Sequence, residues 1–208
     1  MRIGLASDSH GNLDALEKAL DLFARAKVDR VFFLGGRLAD LDAVLGRRRG
    51  ARGAPVPRTD SEFLAAFEDA LARQAAADPI ADRLVRVASR ACPEYGSGAV
   101  PRKLMDLVEG RICCLVHDKA ELDRDDITNA TVLLHGNTDR AAVVQIGQRY
   151  FVTPGRLRAP APGSEPPTFG VLDVTPRDLV LTVYSGDLTA ELRQDRATFA
   201  AGGKMSVR

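Results

Sequence analysis

The 208-residue chain has no tryptophan, three cysteines, three histidines and almost no net charge, +1 from 29 basic and 28 acidic residues. No apolar run approaches the roughly 18 to 20 residues that a membrane span needs. The opening stretch Met1 to Ala6 meets Ser7, Asp8, Ser9 and His10 before a signal-peptide core can form. A cytoplasmic location and no membrane partner are therefore expected. Balanced charge provides no global field toward nucleic acid or anionic lipid, so such binding would need a local patch. Cys92, Cys113 and Cys114 are odd in number, and two are adjacent in an apolar run. That excludes a disulfide framework and reads as small buried hydrophobes without a metal or redox role.

What is present is ordinary globular composition, 45% hydrophobic and 27% charged, at a length that suits one sizeable domain. Residues 2 to 7 have the length of a buried strand. Leu13, Leu16, Leu20 and Phe23 then recur at helical spacing, and Val31 to Leu34 is a second strand closed by Gly35 and Gly36. This strand, helix and strand put two loops at the carboxyl ends of strands, where open α/β sheets bind ligands. A helix is expected from Leu38 to about Gly46, an arginine-rich solvated loop over 46 to 58, and a helix over 60 to 76. Further strands are expected at Leu84 to Ala88, Ile112 to Val116, Thr131 to Leu134, Ala142 to Ile146, Tyr150 to Thr153, Phe169 to Val174 and Leu179 to Tyr184. Val100 to Val108 reads as a short helix, Ala159 to Pro167 as a loop, and the residues after Asp187 as a polar, frayed tail.

His10, His117 and His135 each stand at or just past the end of an apolar strand run. A lone histidine is usually structural. Three at strand ends of an α/β pattern, with Asp8 two residues before His10, point to a polar or metal site at one sheet edge.

Asp8-Ser9-His10-Gly11-Asn12 resembles the D-x-H-G-N opening of the calcineurin-like metallophosphoesterases, in their small bacterial phosphodiesterase branch. Val116-His117 resembles that family's mid-chain histidine, and Leu134-His135-Gly136-Asn137-Thr138-Asp139 its strand ending in G-H-T-H. Thr153-Pro154-Gly155 falls where the family has an N-P-G-S turn. The resemblance runs from about residue 1 to 185. It implies a four-layer α/β/β/α sandwich of two mixed sheets over residues 1–187, with a helical insertion at about 45–83 and a polar tail over 188–208. It also implies two divalent metals sharing a hydroxide that attacks phosphorus.

Several ligands of that centre are replaced. The family's second strand ends in G-D, whose aspartate bridges the metals; here Gly35-Gly36-Arg37 puts glycine in that slot and a guanidinium beside it. Nothing between 84 and 95 resembles G-N-H-D, and both histidines of G-H-T-H are exchanged, for Asn137 and Asp139. A register in which Gly136 to Asp139 stands for G-N-H-D fails, because no G-H-T-H follows it. Two dications about 3.5 Å apart repel by roughly 19 kcal/mol at an effective dielectric of about 20, which bridging anions normally offset.

The resemblance therefore implies a protein with a lost or weakened dinuclear centre, acting as a binding or scaffolding protein, as the retromer subunit of this fold does. The alternatives are a mononuclear phosphomonoesterase or phosphodiesterase, and a phosphate or nucleotide binder without turnover. Asp8, His10 and Asp139 are the candidate ligands of one divalent metal (Mn, Fe or Zn) or of none, and His117 and Asn137 the candidate catalytic groups. Arg37 is the candidate cation facing the site or a bound phosphate. Expected partners are a protein or a phosphate-containing ligand. Separately, His117 with Asp118 also reads as a helix start with a cap, and Asp40 and Asp42 read as a solvated helix face.

Overall fold

The computed structural model describes residues 1–50, 80–160, 165–187 and 189–199. Arg2–Ala6 forms strand β1 and Leu13–Arg25 helix α1. The side chain of Asn12 caps that helix by accepting from the Ala15 amide at 3.3 Å, and Asp14 and Arg25 sit at the ends the helix dipole favours. Its apolar face, Leu16, Leu20 and Phe23 among others, is buried, each such side chain contributing about 2 kcal/mol. Strand β2 (Arg30–Phe33) returns parallel to β1, and helix α2 (Leu38–Gly50) packs beside α1.

Then follow β3 (Leu84–Arg86), the short helix α3 (Pro93–Ser97), β4 (Lys103–Val108), β5 (Arg111–Val116), helix α4 (Arg124–Asn129), β6 (Val132–His135), β7 (Ala141–Ile146) and β8 (Arg149–Pro154). The chain closes with β9 (Thr168–Val174), β10 (Asp178–Ser185) and β11 (Glu191–Thr198). The first sheet has the order β11-β10-β9-β1-β2-β3 and the second β4-β5-β6-β8-β7, both mixed. Ile3, Leu5, Phe32 and Leu34 pack between the sheets against Leu115, Val132, Leu134 and Val152. The opposite face of the first sheet is buried under α1 and α2. Outside the second sheet, among the described residues, a small cluster forms, Cys114, Ala130 and Leu133 with Leu122 and Phe151 against it. Among the described residues the fourth layer is therefore thin. The carboxyl ends of β1, β2, β5, β6 and β8 gather along one edge, as expected of parallel strands that meet a ligand.

Three expectations are corrected here. Residues 103–108 are strand β4, not part of a helix. Glu109 (φ 48°) and Gly110 (φ 74°) make a two-residue turn whose paired left-handed conformations suit a tight hairpin, and this pairs Val108 with Arg111. The polar tail is not frayed over 191–198, because β11 pairs with β10 and extends the first sheet. Phe199 beyond it packs edge-on to Tyr150 at 5.0 Å and lies under the Arg111 guanidinium at 3.5 Å. Helix α2 continues to Gly50, so the arginine loop does not begin at 46. The rest of that loop, the helix expected over 60 to 76 and most of the insertion lie outside the described residues. Among the described residues no helix is long and apolar enough to cross a membrane.

Candidate functional site

Asp8 follows β1 directly, and the loop turns there through strained backbone. Asp8 (φ 52°), His10 (φ 41°) and Asn137 (φ 50°) are left-handed non-glycine residues, and Gly11, Gly35 and Gly36 have positive φ beside them. Such conformations cost of order 1–3 kcal/mol each for non-glycine residues and concentrate where geometry serves function. The Asp8 amide donates to the Gly35 carbonyl at 3.0 Å, binding the ends of β1 and β2 together.

The Asp8 carboxylate is almost wholly buried. Its Oδ1 lies 2.9 Å from His117 Nε2 and 3.3 Å from His10 Nε2, and its Oδ2 accepts from the Asn137 amide at 2.8 Å. A carboxylate can only accept, so the His117 Nε2 carries the proton in that bond. Burial alone would raise the Asp8 pKa. The hydrogen bond and charge of His117, together with the Asn137 N–H, outweigh it and hold the carboxyl below its ordinary value.

The His117 ring lies against Gly35, so closely that a Cβ there would be 2.5 Å from its Cδ2. His117 turns to Asp8, and Asp118 caps the next turn by accepting from the Ala120 amide at 2.8 Å. Asp118 also accepts from the Asn137 side-chain amide at 2.9 Å; the Ala120 bond above all holds the Asp118 carboxyl below its ordinary pKa. Asn137 is thus positioned by two carboxylates, one at each end.

A small polar cavity of about 60 Å³ opens over this cluster, bordered by Asp8, His10, Asn137, Asp139, Arg156 and Arg158. The strands bring together Asp8, His10, His117, Asn137 and Asp139. Arg37 is placed differently. Its side chain is 60% exposed, its Nε is 3.8 Å from Asp40 Oδ1, and it does not border the cavity. Asp139 is engaged by Arg156, whose Nη1 is 2.5 Å from Asp139 Oδ1.

Asp40 corrects the expectation of a solvated face. It is buried and accepts from Ser9 Oγ at 2.9 Å and from the Gly11 amide at 2.6 Å, so it pins the loop that carries His10. Asp42 is exposed and pairs with Arg86.

Arg156 and Arg158 escaped the sequence reading. Their signal was present, since Arg156 follows Thr153-Pro154-Gly155 in the position of the serine of N-P-G-S. Arg156 is mostly buried, and among the described residues its Nε has no hydrogen-bond partner.

The profile of the calcineurin-like phosphoesterase superfamily domain matches residues 1–177. The chain belongs to that superfamily. Among solved structures it is similar to the phosphoesterase YfcE from E. coli, with 20% identity over 94% of this chain and 98% of that one and a TM-score of 0.60. It is similar also to Vps29 from Chaetomium thermophilum, with 16% identity over all of both chains and a TM-score of 0.61. A third is Vps29 from Entamoeba histolytica complexed with zinc, with 14% identity over 96% of this chain and 100% of that one and a TM-score of 0.52. At these identities the likeness establishes the fold. No curated protein sequence matches the chain significantly.

The superfamily is metal-dependent, and the position that matters most for a second metal is Gly36. A Cβ there would lie 2.8 Å from Asp8 Cα and 2.9 Å from Asp8 N, at a φ of 107°. Any side chain at 36, a bridging carboxylate included, collides with the backbone of Asp8. Among the described residues no group of three or more His, Cys, Asp or Glu side chains is spaced to hold a metal ion.

Proposed function

We propose that this phosphoesterase-fold protein binds a phosphate-containing ligand without hydrolysing it, its dinuclear centre lost or severely weakened. The observation that carries this reading is the closed slot at Gly36, where the Asp8 backbone stands too near for any ligand side chain. The residues present do not fit a two-metal centre. What remains is an anion site.

The carboxylates at the cavity are already engaged: Asp8 by His117, His10 and the Asn137 amide, Asp139 by Arg156. The cations are less committed. Arg158 borders the cavity with no carboxylate partner among the described residues, and the Arg156 Nε is unpartnered. Guanidinium groups present planar donor pairs that match phosphate oxygens. In this reading Arg156 and Arg158 hold the phosphate, and His10 and Asn137 line the wall it faces. Arg37, which does not border the cavity, adds positive charge at longer range. A protein partner that displays a phosphate group fits the same chemistry.

A second reading, one divalent metal (Mn, Fe or Zn), draws on the gathering of His10 and His117 at a single Asp8 oxygen. One set of measurements separates the two. Protein purified without chelator is expected to carry far less than one metal per chain. Manganese-supplemented bis-nitrophenyl phosphate is expected to give no turnover above that of Asp8→Ala. Orthophosphate is expected to bind by calorimetry, and more weakly in Arg158→Ala. One or more tightly held metals per chain, or turnover that Asp8→Ala abolishes, would refute the proposal.

A further inference from the structure

Next to the polar cavity lies a larger one of about 440 Å³, bordered by His135, Thr138, Ala142, Val144, Phe151 and Thr153 among others. The two cavities share Thr138 and Asp139, so they are neighbouring chambers with a common wall. The larger one lies where the fourth layer, among the described residues, stops short. Ala130 and Leu122, on either side of helix α4, pack with Leu133, Cys114 and Phe151, and among the described residues nothing covers Val144 and Ile146 on the outer face of β7. Ala142, Val144 and Ile146 alternate onto that face of β7, with Phe151 opposite Val144 and Thr153 opposite Ala142. Val144 and Ile146 are exposed, at 48% and 62%. His135 forms part of the wall, with its Nδ1 3.0 Å from the Gly136 carbonyl. A carbonyl can only accept, so the proton sits on Nδ1, and Nε2 remains an acceptor.

We infer that this chamber receives the apolar or aromatic part of an organic phosphate whose phosphate group lies against Arg156 and Arg158. The inference rests on the anion site proposed above and names the ligand class. A concave, mainly apolar chamber of a few hundred Å³ with a few polar groups is the form that small-molecule sites take. Lys119 on its border and Arg158 beyond the shared wall favour an anionic amphiphile over a neutral one, whereas Arg140, also on the border, is already paired with Glu165. Thr138 Oγ1 and Thr153 Oγ1 are 2.6 Å apart and hydrogen-bonded to each other in the wall between the chambers.

Two hydrolysis-resistant probes test this, methylphosphonate and naphthylmethylphosphonate, titrated calorimetrically into the full-length protein. Burying the ring is expected to tighten binding about tenfold or more relative to the methyl compound. Ala142→Phe, which fills the chamber, should remove that difference while methylphosphonate binds as before. Val144→Asp, at an exposed position that tolerates charge, should reduce it independently should the larger side chain disturb folding. Arg158→Ala should weaken both probes. Equal affinities in the native protein, or a difference that survives both chamber variants, would overturn the inference and leave the anion site standing. Failure of both probes to bind would remove the anion site and the inference with it.

Discussion

Gly36→Ala is the most direct perturbation of the site, because one added methyl meets two separate obstacles. The residue sits at a φ of 107°, outside the range that side-chain-bearing residues adopt readily, which costs of order 1–3 kcal/mol. The methyl carbon would also lie 2.8 Å from Asp8 Cα and 2.9 Å from Asp8 N. Both are backbone atoms held by the Asp8 to Gly35 hydrogen bond, so the neighbour cannot rotate away. Overpacking of this kind adds about 1–3 kcal/mol, for a combined loss of about 2–6 kcal/mol, a large share of the roughly 5–15 kcal/mol by which domains are stable. Urea unfolding followed by circular dichroism measures it without tryptophan, which the chain lacks. Gly147→Ala is the control, since Gly147 has a φ of 60° with nothing within 4 Å of the added carbon. It isolates backbone strain from collision. If Gly36→Ala costs no more than Gly147→Ala, the closed slot is not real. Gly36→Asp, which restores the bridging residue of the family, is likewise expected to destabilise the fold without creating a second metal site, as a manganese titration would read.

Asp40→Ala strips the Ser9 hydroxyl and the Gly11 amide of their acceptor; it should lower stability by about 2–4 kcal/mol and hasten limited proteolysis within residues 9–12. Lys103 Nζ is 2.8 Å from Asp123 Oδ2, and above all that bond, with the Asp126 amide, brings the Asp123 carboxyl down to about 2. Since the unfolded value is about 3.9, its contribution is complete above about pH 4 and disappears as pH falls through about 2. Lys103→Met should therefore flatten the thermal midpoint across that window, and an unchanged slope would dismiss the pair. Burial pushes the Cys113 thiol up to about 12 and the Cys114 thiol up to about 11, so neither should react with Ellman's reagent at mildly alkaline pH until denaturant is added.

Much of the architecture was legible because it is written in local pattern. The alternation of apolar strand runs with the Leu13 to Phe23 helical face, and polar loops at the carboxyl ends of strands, located Asp8, His10, His117 and Asn137. Elements whose side chains carry no such pattern were not legible. Leu104, Leu107 and Val108 have helical spacing, yet residues 103–108 form a strand because the Glu109-Gly110 turn folds them back onto β5. Residues 191–198 are polar and largely exposed, and backbone pairing with β10 holds them.

At the site, the sequence by itself determined which residue types are present: two carboxylates, two histidines and an altered turn in the order of the phosphoesterases, with glycine at the bridging position. Only the tertiary structure decided how these groups are committed. It turned Arg37 toward Asp40, buried Asp40 under the His10 loop, paired Arg156 with Asp139 and brought the Asp8 backbone against Gly36. The physical reason is that residue types and spacing set local conformation. The partner of a buried charge, and the space left for an added atom, depend on strands far apart in the chain meeting at one edge.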